Sequence, residues 1–229
     1  METRKDLSDL GELYHDFHLF GAHNRQIPGI YAPNQRCKEP TIIAYIQLAI
    51  AKSRTAMDDR VTFTELFCAD GYYAMVARLL GADESYGVDS DRDGFFGKAH
   101  VIAHRLGLTG VSFILHDVDK VDLLPQTDIV ANLGGLYHVS NPIEILAKSY
   151  AMARKFLVVQ TVYSLANDSP NYFESPAPGW TWGCRFSRQW LEAQMAQRAF
   201  DVVDSHHNEL EGNERPEDRG SAYYLVAKR

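Results

Sequence analysis

The chain has 229 residues, 45% of them hydrophobic and 11% aromatic, enough for one α/β domain with a full core and a modest extension. That composition argues against a disordered chain. A net charge of −7 makes a large polyanion a poor default partner, although a local basic patch is compatible with an acidic total.

Cys37, Cys68 and Cys184 are odd in number and scattered, so they offer neither a disulfide framework nor metal-ligand spacing. METRKDLSDLGEL carries no apolar signal-peptide core, and no run approaches the roughly 20 apolar residues of a membrane span. The expectation is a soluble, cytoplasmic protein; no residues are singled out as metal ligands, and any metal requirement stays open.

Residues 1–40 read as an irregular lead-in with the stretches YHDF and PGIY. The apolar residues of 41–57 predict a helix packed on something larger, with Thr41 as its N-cap after Pro40. From residue 61 strands and helices alternate. VTFTELFCA reads as a strand and YYAMVARLLGA as a helix closed by Gly81. SYGVD is a short buried strand, followed by a helix through FFGKAHVIAHRLGL. VSFILHD and DIVANLG are the next strands, and NPIEILAKSYAMAR the next helix. KFLVVQTV is an unbroken apolar run, as parallel-sheet strands tend to be. Residues 164–184 form a loop, FSRQWLEAQMAQRA is helical, and FDVVDSHH and SAYYLVAKR are strands joined by a polar turn.

This alternation predicts a Rossmann-like, doubly wound α/β fold with a mainly parallel, seven-stranded sheet. The last two strands, joined without a helix, predict a C-terminal antiparallel hairpin. The expected organisation is an N-terminal cover segment over 1–60 and the α/β domain over 61–229.

Ligands of open α/β sheets bind beyond the carboxyl ends of the strands. Those ends fall at Glu65 to Gly71, at Asp89, at Asp117, and at Asn132 to His138. Asp89 suits the diol of a ribose, or alternatively the cap of the following helix. Asp117 suits an exocyclic adenine amine, with Val118 packing on the ring. Gly134 and Gly135 permit close backbone approach or a special turn. His138 stands where a general base would, or else bonds a backbone carbonyl as a structural group.

Taken together, ELFCADGYYAMVARLLGA, SYGVD, NLGGLYHVSNPIEIL, FLVVQT and the Phe-Ser-x-x-Trp-Leu helix resemble the class I S-adenosylmethionine-dependent methyltransferases. Within that class they look most like the tRNA wobble-uridine methyltransferase and carboxymethyltransferase group and its uncharacterised relatives. The likeness runs from about residue 60 to 229, with YHDF and PGIY as its N-terminal part. It implies S-adenosyl-L-methionine as methyl donor. Glu65 would lie near the donor's amino group, with Phe67, Ala69, Asp70 and Gly71 around its methionine part. Asp89 and Ser90 would hold the ribose, and Asp117 and Val118 the adenine. Asn132 and Leu133 complete the cofactor set, with Tyr137 and His138 beside the sulfonium and the acceptor.

Two departures matter. Phe67 and Ala69 replace glycines of the donor loop, which a ligand without a pyrophosphate tolerates better than a dinucleotide would. Val139-Ser140-Asn141 stands where the tRNA enzymes carry arginines, which with the acidic charge argues against a tRNA substrate. The leading expectation is therefore O-methylation of a small molecule or glycan, with His138 as base and Tyr137 orienting the acceptor. A tRNA-modifying enzyme and a non-catalytic cofactor-binding partner protein are the alternatives. A dehydrogenase is disfavoured because Gly-x-Gly-x-x-Gly is missing. The loop 172–186 and the N-terminal cover are expected to form a substrate lid. Trp180 and Trp182 either stack on a ring or belong to the core. Arg36, Arg185 and Arg188 either bind an anion or are solvated surface charge. The oligomeric state is open, a homo-oligomer included.

Overall fold

The computed structural model describes residues 5–55 and 59–228. Its main sheet consists of β1 (Thr62–Leu66), β2 (Glu84–Asp89), β3 (Val111–Leu115), β4 (Thr127–Leu133), β5 (Ala153–Tyr163), β6 (Asp201–Glu209) and β7 (Gly220–Ala227). The strand order is β6-β7-β5-β4-β1-β2-β3. The five strands from β5 to β3 pair in parallel, while β7 is antiparallel to both β5 and β6. The hairpin is thus present, with its second strand on the inside. Burial accounts for the order: β7 is buried along almost its whole length, whereas β6 is exposed at most positions.

Five helices flank the sheet: α1 (Tyr31–Ser53), α2 (Tyr72–Leu79), α3 (Ala99–Leu106), α4 (Pro142–Met152) and α5 (Arg188–Gln197). Local signals set most of their ends. Pro142 occupies the first turn of α4 behind the Asn141 cap, and the Ser187 hydroxyl accepts from Trp190 N at 3.0 Å to open α5. Helix α1 departs from expectation, because it starts at Tyr31 and carries Pro40 inside, leaving Thr41 mid-helix rather than at a cap. Pro40 removes one backbone hydrogen bond, yet Ile42, Tyr45, Ile46, Ala49 and Ile50 are buried beyond it, and that packing outweighs the break. Residues 56 and 57 of the expected helix lie outside the described residues.

Successive strand residues point to opposite faces of the sheet, and two cores result. Phe63, Ile129, Ala131, Leu133, Val158 and Leu225 pack with α1, α2, α3 and the N-terminal residues Leu7, Leu13 and Phe17. Leu66, Val130, Val159 and Tyr224 pack with α4 and α5 on the other face. The boundary expected near residue 60 falls in the link between α1 and β1. No helix among the described residues is long and apolar enough to cross a membrane.

Candidate active site

The strand order reverses between β1 and β4, whose ends are paired through Leu66 and Asn132. Beyond these carboxyl ends lies a cavity of about 570 Å³. All four strand ends singled out in the sequence contribute to its wall: Glu65, Phe67 and Ala69 at the end of β1 and just beyond, Asp89 and Ser90 at the end of β2, Asp117 and Val118 after β3, and Leu133 and His138 at the end of β4 and beyond.

The loop after β1 keeps its tight path without the missing glycines. Phe67 and Ala69 adopt left-handed backbone with φ of 61° and 48°, and Gly71 follows at 79°. Each non-glycine residue in that region costs about 1–2 kcal/mol. Hydrogen bonds hold the path: Cys68 N donates to Val88 O at 3.1 Å, Ala69 N to Asp89 Oδ2 at 3.0 Å, and Gly71 N to Cys68 O at 2.7 Å. Gly71 admits no side chain, since a Cβ there would sit 2.2 Å from the Phe113 ring. The Phe67 ring finds room at Gly135, where a Cβ would lie 2.0 Å from Phe67 Cδ2. Of the paired glycines, Gly134 takes the special turn at φ 71° and Gly135 the close approach.

Asp89 has a double duty. Its Oδ2 fixes Ala69, and its Oδ1 accepts from Asp91 N at 2.8 Å. Each oxygen therefore keeps a second acceptor site for a ligand. Burial raises its pKa, opposed by these two amides. Glu65 is buried, and its Oε2 accepts from Ala74 N at 2.7 Å at the start of α2. Burial pushes its carboxyl well above the usual range. Asp117 accepts from Asp119 N at 3.1 Å, while Val118 is almost fully buried.

Asp70 and Asn132 do not reach the cavity. The Asp70 carboxylate is fully buried and accepts from His15 N at 2.9 Å and His15 Nδ1 at 2.6 Å, so it ties the N-terminal residues to the loop after β1. Asn132 points to the opposite face from Leu133, and its amide donates to Ser149 Oγ of α4 at 3.0 Å. Gly71 sets the loop path without lining the cavity.

A second cavity of about 520 Å³ adjoins the first, sharing Tyr14, His15, Lys38, Arg92, His138 and Trp182 with it. Tyr137 faces this second chamber, and burial raises its hydroxyl to about 12. His138 stands between the two. Its Nδ1 is buried without a partner among the described residues, so the expected alternative of a carbonyl bond is not made there. Burial, followed by the charges of Arg92, Arg185 and Lys38, lowers its pKa to about 3. Trp182 stacks on the imidazole with centroids 5.4 Å apart, and Trp180 meets Trp182 edge-on. Arg185 is buried against Asp218 at 2.5 Å, whereas Arg188 pairs with Glu192 along α5 and Arg36 lies at the surface 4.0 Å from Glu211.

Sequence reasoning missed Tyr14, His15, Lys38, Tyr73, Arg92 and Asp93, all of which line the first chamber. The YHDF stretch was a visible signal for Tyr14 and His15. Lys38 and Arg92 carried none, because only the folded chain brings α1 and the segment after β2 together.

No family model and no curated protein matches the chain by sequence. Its fold is that of the Rossmann-like methyltransferases. Magnesium protoporphyrin IX methyltransferase (ChlM) from Synechocystis PCC 6803 with bound SAH aligns over 90% of both chains at a TM-score of 0.67 and 12% identity. The N-terminal domain of EvdMO1 with SAH bound aligns over 96% of this chain and 93% of that one, at 0.67 and 15%. The same fold is found in the [4+2]-cyclase SpnF, which aligns over 81% of this chain and 80% of that one at 0.59 and 17%. Identity this low shows the fold alone.

Proposed function

We propose that this chain is an S-adenosylmethionine-dependent methyltransferase that methylates a hydroxyl of a small molecule or glycan. The observation that carries the reading is the convergence of four strand ends on one acid-walled chamber, joined at His138 to an aromatic-lined second chamber. The residues fit the donor: Asp89 keeps acceptor sites for a ribose, Val118 offers an apolar wall, and Glu65, Asp89, Asp117 and Asp119 suit a cation. When bound, the donor supplies an electrophilic methyl group on a sulfonium.

The chain's own part is alignment and proton removal. The loop 67–71 and Asp89 fix the donor side, and Tyr137 and Trp182 line the acceptor side. Holding both partners in line supplies much of the acceleration in a displacement of this kind. With a donor held by Asp89 and the loop 67–71, its methyl group would be available to the acceptor oxygen, and neutral His138 would take the hydroxyl proton.

Calorimetry with S-adenosylhomocysteine (SAH) tests the reading. One equivalent binds the wild type, and Asp89→Ala weakens binding at least about tenfold, the loss of one good charge-assisted hydrogen bond. A circular-dichroism melt checks that the variant stays folded. No binding by the wild-type protein refutes the proposal. The resemblance to tRNA-modifying enzymes predicts instead a tRNA gel shift with steep salt dependence.

A further inference from the structure

We infer that the acceptor is a ring compound carrying a carboxylate, which Lys38 and Arg92 hold where the two chambers meet. The inference rests on the methyltransferase reading for the word acceptor, but the anion site stands on its own geometry.

The two chambers differ in charge. The first has Asp89, Asp117, Asp119 and Glu144 in its wall; the second has none of them, its acids being Asp93 and Asp218. At their junction the balance reverses. Arg185 is neutralised by Asp218, and Arg92 has Asp93 at 3.6 Å and the Trp182 face at 5.0 Å. Lys38, reaching in from α1, makes no hydrogen bond or ion pair among the described residues. Burial lowers its pKa to about 8.

Lys38 is part-buried, and a cation that faces a cavity without a counter-charge among the described residues is open to pair with an anion there. The surplus charge also acts on His138, whose low proton affinity makes it a poor base in the empty site. Burial is the first cause of that low affinity, and the neighbouring cations add to it; a carboxylate between Lys38 and Arg92 would offset the cationic part alone. The anion would then position the acceptor and move the His138 proton affinity upward. Tyr14, His15, Tyr73 and Asp93 are the other charged or titratable groups that line both chambers. The ring is called for by the walls of the second chamber, where Tyr14, Tyr31, Phe95, Tyr137, Trp180 and Trp182 supply flat apolar surfaces.

The test is an NMR titration of the His138 imidazole with matched probes, run with and without SAH. Benzoate is compared with benzamide, and glucuronate with glucose; the first pair represents an aromatic acid, the second an acidic sugar. At least one acid saturates the His138 signals with a dissociation constant at least about tenfold below that of its neutral partner, and raises the His138 pKa. Lys38→Met abolishes the preference and Lys38→Arg retains it. The inference is overturned if neither acid shifts His138, if neither outbinds its neutral partner, or if the preference survives in Lys38→Met. Should Lys38→Met fail to fold, the wild-type comparison and Lys38→Arg still decide. Failure of SAH to bind, with the acid preference intact, sinks the methyltransferase reading and not the anion site.

Discussion

The fit of Phe67 beside Gly135 gives the sharpest test of how the loop after β1 holds its path without glycine at 67 and 69. Gly135 has φ −96° and ψ −36°, a conformation open to any residue, so Gly135→Ala carries no backbone penalty. Its methyl group would fall 2.0, 2.1 and 2.5 Å from three atoms of the Phe67 ring, where carbon atoms need about 3.5–4.0 Å. The ring must move by roughly 1.5 Å, from a backbone already held in the left-handed region. Overpacking of this kind costs about 1–3 kcal/mol. Phe67→Gly acts differently. It forfeits part of a half-buried ring but relieves about 1–2 kcal/mol of left-handed strain, so the single change lies near neutral. In the double variant the alanine methyl group occupies space the ring has left. Urea unfolding of the four proteins is therefore expected to show a coupling of about 1–3 kcal/mol in favour of the pair. SAH affinity should fall in Gly135→Ala and recover in the double variant. Coupling within about 0.5 kcal/mol of zero would refute the steric argument, because it would mean that ring and glycine do not share the space.

Two further outcomes are expected. His15→Ala removes the imidazole bond to Asp70 Oδ1 and leaves the buried carboxylate with the residue-15 backbone amide alone, a loss of about 1.5–3 kcal/mol; trypsin should then cut the cover at Arg25 at least about tenfold faster than in the wild type, and an unchanged rate would show that the imidazole bond does not hold the segment. Because the Lys38 pKa is lowered to about 8, its charged form, which binds the anion, is present below that pH and is lost above it. Affinity for the discriminating acid should thus be flat from pH 6 to 7.5 and fall by about tenfold per pH unit above 8, and the fall should be absent in Lys38→Arg.

The fold was legible because its signals are local and repeated. Strand-like and helix-like segments alternate from residue 61 onward, and the acids Glu65, Asp89 and Asp117, at or just beyond the ends of β1, β2 and β3, mark the carboxyl edge of the sheet. The hairpin was visible in the missing helix between FDVVDSHH and SAYYLVAKR, whereas its orientation depended on which strand needed more burial. Helix α1 was misplaced at its start because Pro40 is read locally as a break, while the apolar contacts that outweigh it come from the sheet.

For the site, the sequence by itself determined which strand ends meet, since chain order and parallel pairing leave Glu65, Asp89, Asp117 and His138 on one edge. Tertiary structure decided everything that depends on direction and distance. Side-chain alternation sent Asn132 to the α4 face while Leu133 reached the cavity. The fold of residues 5–27 turned Asp70 into an anchor for His15. The packing of α1 delivered Lys38, some 100 residues away from His138 in sequence, to the wall of the same two chambers. The loop ELFCADGYY shows both levels together. Its residues mark a turn after a strand, but the space that lets Phe67 stand for a glycine is supplied by Gly135, from a different strand end.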